Sequence, residues 1–342
     1  MNMYPLKSVP VFKRRIWGGR KLQEAFGKEL PPGERIGESW EIADLPEGQS
    51  TVANGPLAGQ TLGDVVRQHA EEIMGKGEAS RIEGEASNGV SAAFRLHTPS
   101  VVPPSASFGF PLLVKFLDAQ DVLSVQVHPD PRTCRRMGKG DPKTECWYVI
   151  AAEPGAVIYK GFKQGTTREQ FARAIEAGTA AEMLAAIPVQ PGECHFIPAG
   201  TVHSLGAGLL IAEIQTPSDT TYRVFDWNRV GDTGRPRPLH VAEALESIHF
   251  DLTPDRLPVT TVGRLVDCEY FRVDKGHQAG KGERFLHRGC LHVLIFLSGA
   301  GDIISREAEP VPFKAGDCIL IPRAFEGAAR FAQDTEYLTV TL

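Results

Sequence analysis

Two short stretches of the 342-residue chain carry residue types that suit a divalent metal. In LSVQVHPD, Ser124, Gln126 and His128 alternate with Leu123, Val125 and Val127. Successive side chains of a strand point to opposite faces, so this spacing predicts a half-buried β-strand with three polar groups in a row. In KTECWYVI, Lys143, Glu145 and Trp147 alternate in the same way, which turns Cys146 to the opposite side, into a core. An imidazole and a carboxylate facing inward from two strands are ordinary zinc ligands, and a catalytic metal keeps one coordination position open.

The elements that must hold these groups belong to a chain that is 42% hydrophobic with a formal net charge of −5. That length suits two domains, and the mild acidity gives no reason to expect nucleic acid or an anionic membrane as partner. The N-terminal stretch has no continuous apolar segment and no run of 18 apolar residues occurs, so a cytoplasmic protein is expected. The six cysteines are scattered without a C-x-x-C pair and read as reduced thiols.

Short strands and turns are predicted over residues 1–60, followed by a helix from Thr61 to Met74 with Leu62, Val65, Val66 and Ile73 on one face. Residues 76–107 shift to Gly, Ser, Ala, Glu and Pro and read as a surface insertion. Beyond it come the strands PLLVKFLDA, VLSVQV and AVIYKGF, with a basic loop (Arg132, Arg135, Arg136, Lys139) after Pro131. Thr167 and Gln170 form a capping box ahead of a helix through Phe171 and Ile175, with a second short helix expected around Met183 and Leu184. Further short strands complete a mainly β protein with helical insertions.

The chain also repeats itself. PGECHFIPAGTVH, which ends in His203, matches AGDCILIPRAFEG, and WYVIAAEPGAVI can be laid on VLIFLSGAGDII. In this alignment Gly327 replaces His203, Leu291 replaces Glu145, and His292 falls one residue out of register, facing away. One metal site is expected, in the first copy.

His203 beyond the Pro198-Ala199-Gly200 turn completes what resembles the cupin double motif, and nominates Gln126, His128, Glu145 and His203 as ligands. LSVQVHPD, KTECWYVI, GECHFIPAGTVHSLG, AEIQTPSDTTYRVFDWNR and the early WGG…GESWEIAD together resemble the short bacterial form of the cupin-type (class I) mannose-6-phosphate isomerases. The resemblance spans nearly the whole chain outside 76–107 and weakens toward the C-terminus. It implies two jelly-roll barrels: a catalytic part over 1–250 and a degenerate barrel without metal ligands over 251–342. It also implies one Zn²⁺ per chain, a phosphorylated hexose as substrate, and a monomer or homodimer.

The implied reaction opens a pyranose, removes the C2 proton, stabilises a cis-enediol and returns a proton to C1. Zinc would act as a Lewis acid on the sugar oxygens. The family's catalytic arginine transfers to Arg223 and its active-site lysine to Lys143; Lys115 and Ser124 match positions of the substrate pocket. Two residues compete for the role of base. Glu213 sits mid-strand in LLIAEIQT, where an unpaired carboxylate is costly, and Lys143 is the other. An Fe(II) cupin oxygenase and a non-catalytic sugar-binding cupin are the alternatives, the first disfavoured by Gln126 among the ligands.

Overall fold

A computed structural model describes residues 2–75, 109–231, 234–252, 255 and 257–342. The expected 76–107 insertion lies outside the described residues. Four larger antiparallel sheets stack face to face, and the described residues also form a two-stranded ribbon, Asp44–Leu45 with Gly48–Gln49. The first consists of Leu184–Pro188, Val157–Phe162, His203–Leu205, Val125–Val127 and Tyr222–Phe225 in that order. The second runs Cys194–Ile197, Glu145–Ala152, Leu209–Gln215, Leu113–Ala119, Ile36–Ile42, Val11–Gly19. The third has seven strands, with Cys318–Ile321, Leu6–Val9 and Thr51–Val52 at one end, and the fourth has four. This is the expected mainly β, cupin-type arrangement.

Period-two patterning explains the stacking. On Leu209–Gln215, Leu210, Ala212 and Ile214 join the core between the second and third sheets. Leu209 and Ile211 join the core between the first and second. A strand buried on both faces reads as continuously apolar, so Glu213 and Gln215 on the inner face mark where the core gives way to a site. Leu294, Phe296, Ile319 and Ile321 fill the last interlayer, against the fourth sheet. Leu6 opposite Leu320 ties the N-terminal strand into the third sheet, so residues from both ends of the chain share one sheet.

Helices cover the outer face of the first sheet. In Arg168–Glu176 the Thr167 side chain accepts from the Gln170 N–H at 3.2 Å while the Gln170 side chain accepts from the Thr167 N–H at 2.9 Å. Phe171 and Ile175 then pack beside Val224 and Phe225. Thr167→Ala removes an acceptor for an otherwise orphan N–H and is expected to cost about 1 kcal/mol in denaturant unfolding. The second short helix is a single 3₁₀ turn, Ala180–Met183, and Leu184 instead begins a strand paired to Phe162. Likewise the Thr61–Met74 helix is two pieces, Leu62–Gln68 and Ala70–Met74, separated at His69. The carbonyls of Glu72 and Ile73 accept from Ala324 and Arg323, which docks the second piece on the C-terminal part.

The basic stretch after Pro131 is a helix, Pro131–Met137, because Asp130 caps it by accepting from the Thr133 N–H at 2.6 Å and Pro131 occupies the first turn. Two cations of this stretch meet the neighbouring helix Val241–Ser247: Arg136 meets Glu246 at 3.0 Å, and Lys139, just past the helix end, meets Glu243 at 2.6 Å. The repeat also needs one correction. Pairing of Ile197 with Glu145 and of Ile321 with His292 makes His292, not Leu291, the counterpart of Glu145. His292 therefore shares the face of Leu294 and Phe296, inside the C-terminal sandwich. Similarity of turns had set the alignment one residue off, and a one-residue slip reverses every side chain. Among the described residues no helix is long and apolar enough to cross a membrane.

Candidate metal centre and its cavity

Strand register, not sequence proximity, assembles the centre. His203 lies directly opposite Gln126 in the first sheet, and Arg223 lies opposite Gln126 on the other side. Glu145 enters from the second sheet with Gln215 beside it. His128, Glu145 and His203 are buried and offer ligand atoms that all lie within 4.8 Å of one another, the one such group among the described residues. His128 Nε2 stands 3.5 Å from Glu145 Oε2, and His203 Nε2 stands 3.4 Å from Glu145 Oε1. Gln126 Nε2 is 3.4 Å from His203 Nε2, while its Oε1 accepts from Ser124 Oγ at 3.2 Å. The amide is assigned by its hydrogen bonds. Turned by 180°, it presents Oε1 on the side of His203 Nε2 and donates to Ser124 instead.

The residues fit a divalent cation. His128 Nδ1 faces the Thr220 carbonyl at 2.8 Å and His203 Nδ1 faces the Thr201 carbonyl at 2.8 Å. Donation by each Nδ1–H leaves both Nε2 lone pairs bare and fixes the rings, as outer partners of metal-bound histidines do. His128 Nε2 and Glu145 Oε1 are buried without a hydrogen-bond partner among the described residues. Buried orphan acceptors at one point are costly unless a cation completes them. Burial pushes His203 down to about 4 and holds His128 well below its ordinary value, with the Lys143 charge adding to both. Burial, together with the Glu213 charge, lifts Glu145 to about 7 against the opposing pull of Lys143.

Both imidazoles are thus held in the neutral form that ligates at neutral pH, and Glu145 is the group that a proton and a cation compete for. Metal affinity is expected to fall by up to about tenfold per pH unit below pH 7, with about half a proton released on binding near that pH and close to one at about pH 6 and below. Calorimetry in two buffers of different ionisation enthalpy measures that proton.

In front of the centre lies a cavity of about 450 Å³ lined by Gln126, Ser124, Lys115, Lys143, Glu213 and Arg223, all expected from the sequence. Lys143 Nζ is 2.8 Å from Glu145 Oε2 and 3.7 Å from Glu213 Oε1; Lys115 Nζ is 3.3 Å from Glu213 Oε1. Burial opposes the Lys143 charge, but Glu145 and Glu213 outweigh it and keep the ammonium protonated. Burial likewise raises Glu213, but Lys143 and Lys115 outweigh it and keep the carboxylate ionised. Its Oε2 accepts from Trp147 Nε1 at 3.0 Å, which fixes the carboxylate plane. Arg223 donates through Nη1 to the Pro238 carbonyl at 3.0 Å, and its Nε is buried without a partner among the described residues. Burial and the charge of Arg237 lower Arg223 to about 10, still cationic at neutral pH.

Sequence reading missed Glu38, Arg15, Asp219 and Arg237 in this lining. Glu38 accepts from Arg15 Nε at 2.6 Å and from Trp40 Nε1 at 2.6 Å, and lies 3.8 Å from Lys115. The Arg15 and Lys115 charges overcome burial and hold it at about 2. A signal was available in GESWEI, where Glu38 and Trp40 share a face. Trp17 also lines the cavity, whereas Trp40 and Trp147 are buried behind it and hold its carboxylates.

Fold and site together define a cupin-type protein in which two histidines and a glutamate, buried behind a charged cavity, could hold a metal ion. The phosphomannose isomerase type I catalytic domain family matches residues 75–146, the segment that contains Gln126, His128 and Glu145. A mannose-6-phosphate isomerase of Bacillus subtilis is 36% identical over 332 residues, covering 94% of this chain and 94% of its own length. The crystal structure of the mannose 6-phosphate isomerase from Bacillus subtilis superposes with a TM-score of 0.81 at 28% identity, over 99% of this chain and 100% of that one. A zinc-bound mannose 6-phosphate isomerase structure shares the fold (TM-score 0.72, 15% identity, 98% of this chain and 99% of that one). The chain belongs to the mannose-6-phosphate isomerase family.

Proposed function

We propose that this protein interconverts mannose 6-phosphate and fructose 6-phosphate, with one Zn²⁺ per chain held by Gln126, His128, Glu145 and His203. The observation that carries the reading is a buried orphan ligand set 2.8 Å behind Lys143, in a cavity that also holds an ionised Glu213. The zinc-bound relative of the same fold supports the choice of metal. Bound there, zinc supplies Lewis acidity toward the oxygens on carbons 1 and 2 of the sugar.

Glu213 is the base. It takes the C2 proton, whose bonding pair becomes the C1=C2 bond of a cis-enediol as the C1=O1 pair moves onto O1, which gains a proton. The same carboxyl then returns its proton to C1 while O2 loses one and becomes the ketone oxygen; no electrons enter or leave. Lys143, protonated beside Glu145 and Glu213, donates to the developing oxyanion, a role its charge suits better than that of base. Arg223, opposite Gln126, adds a second positive group on that side. Lys115 and Ser124 line the sugar's path, and each also holds a neighbour: Lys115 holds Glu213, and Ser124 holds Gln126.

A passive sugar-binding role would leave the ionised Glu213 between two lysines without a task. The reading includes a catalytic part over 1–250, a degenerate C-terminal barrel over 251–342, a cytoplasmic location and a monomeric or homodimeric state. In deuterated water, metal-loaded protein given mannose 6-phosphate is expected to yield fructose 6-phosphate with solvent deuterium at C1, and chelation is expected to stop it. Failure of folded, metal-replete protein to turn over the sugar would overturn the assignment.

A further inference from the structure

Two indoles stand behind the cavity, and among the described residues only one of them touches both halves of the site. Trp40 donates through Nε1 to Glu38 Oε2 at 2.6 Å. Its ring otherwise faces the ammonium groups of Lys13 and Lys115, 4.4 and 5.1 Å from the centroid. Trp147 donates through Nε1 to Glu213 Oε2 at 3.0 Å. Its ring also meets the His203 ring edge-on, with centroids 5.3 Å apart and planes at 80°. One side chain thus contacts the carboxylate in the cavity and a member of the ligand set behind it.

Strand register fixes the indole in that place. On Glu145–Ala152, alternation puts Trp147 on the face of Glu145. Glu213 lies directly opposite it on one neighbouring strand and His195 on the other. The side chain is 2% exposed and belongs to the core that holds Leu117, Ile158, Ile197, Leu205 and Ile211. Close packing leaves a ring of that size little room to turn.

The hydrogen bond makes the two oxygens of Glu213 unequal. Oε2 is engaged by the indole, whereas Oε1 is buried without a hydrogen-bond partner among the described residues. Lys115 at 3.3 Å and Lys143 at 3.7 Å offset the charge of Oε1 without being aligned to donate to it. Of the two oxygens, Oε1 keeps its lone pairs free to take a proton. On the far side of the same ring, the Thr201 carbonyl holds His203 at Nδ1, and the indole limits the tilt of the imidazole about that bond.

We infer that Trp147 is a positioning residue for the isomerisation: it assigns Glu213 Oε1 as the proton-accepting atom and ties that carboxylate to His203 through one rigid ring. The inference rests on the isomerase reading for its reaction. Moving a proton from carbon 2 to carbon 1 requires one oxygen of the base to reach both carbons in turn. Its place relative to the ligand set must therefore hold throughout, and a misplacement of about 1 Å costs about 10²-fold.

The test uses the full-length, zinc-loaded protein. Trp147→Phe removes the N–H and keeps an aromatic ring beside His203. It is expected to lower kcat for mannose 6-phosphate about 10- to 100-fold, the worth of one hydrogen bond to a charged group. KM should stay within about threefold and zinc content at the wild-type level, because neither depends on that bond. In a Glu213→Gln background the same change should cost less than about threefold, since the carboxylate it acts through is gone. Trp147→Leu removes the ring as well and should weaken Zn²⁺ binding about 2- to 10-fold, the worth of an edge-to-face pair.

An unchanged kcat in the folded Phe variant, or a full additional loss in the Glu213→Gln background, would overturn the positioning role. Equal zinc affinity in the Phe and Leu variants would overturn the tie to His203. Should neither variant fold, proton–nitrogen NMR of the four indole groups decides without them. One indole signal is expected to move both on addition of Zn²⁺ to the wild type and on introduction of Glu213→Gln; no signal answering to both would sink the inference. A wild-type protein that leaves the sugar unchanged would remove the isomerase reading, while the indole signals would still report whether base and ligand are joined.

Discussion

Glu145→Gln is expected to lower turnover of mannose 6-phosphate by at least about 10³-fold, equivalent to about 4 kcal/mol of lost transition-state stabilisation. The change keeps the side chain's shape and removes its charge, so the ligand set drops from one negative charge to none. It also deprives Lys143 of the carboxylate 2.8 Å away, leaving that ammonium with Glu213 alone at 3.7 Å. Elemental analysis of the purified variant should find little metal. A stability measurement separates this cause from misfolding. In the metal-free protein Glu145 sits near 7, above its ordinary value of about 4.5 in the unfolded chain. A raised carboxyl contributes stability that is complete below the unfolded value and lost as pH rises through about 7. Above pH 7 the metal-free wild type therefore buries a charge that Lys143, 2.8 Å away, compensates only in part and that the variant lacks. The variant's apoprotein should match or exceed the wild type's Tm at pH 8 and gain little from added Zn²⁺, while the wild type gains strongly. Full metal content with full activity would remove Glu145 from the ligand set.

Glu213→Gln is expected to cost about 10² to 10⁴ in kcat, the usual worth of a positioned general base. The amide oxygen can still accept from Trp147 Nε1, as the carboxylate does at 3.0 Å, so the strand and its cavity should persist. Metal content should stay at the wild-type level, because Glu213 Oε1 faces Lys115 and Lys143 and not the histidines. Exchange of solvent deuterium into the sugar should disappear along with turnover. A variant that loses turnover yet still exchanges the C2 proton would transfer the base role to another group, Lys143 first. Loss of metal would make Glu213 a support of the centre instead.

Both effects depend on faces that the local sequence declares. Ser124, Gln126 and His128 alternate with buried valines, and Glu213 alternates with Leu210, Ala212 and Ile214; these residues stand where alternation puts them. A capping box is equally local, and Thr167 with Gln170 forms one. Where a feature depended on a partner strand, local pattern failed. His292 was turned the wrong way because its face follows from pairing with Ile321, not from the similarity of the turns around it. The cations after Pro131 read as a basic loop, yet Asp130 caps a helix there, and Arg136 on it and Lys139 just beyond it meet Glu246 and Glu243, more than a hundred residues away.

By itself the sequence determined the residue types of the centre, their faces and the β class of the chain, because side-chain alternation requires only neighbours along a strand. Tertiary structure alone decided that His128, Glu145 and His203 meet within 4.8 Å. It also decided that Trp147 and two lysines hold Glu213, and that Arg15 and Arg237, over two hundred residues apart, line the same cavity. Register between distant strands sets those meetings, and register follows from the packing of whole sheets against one another.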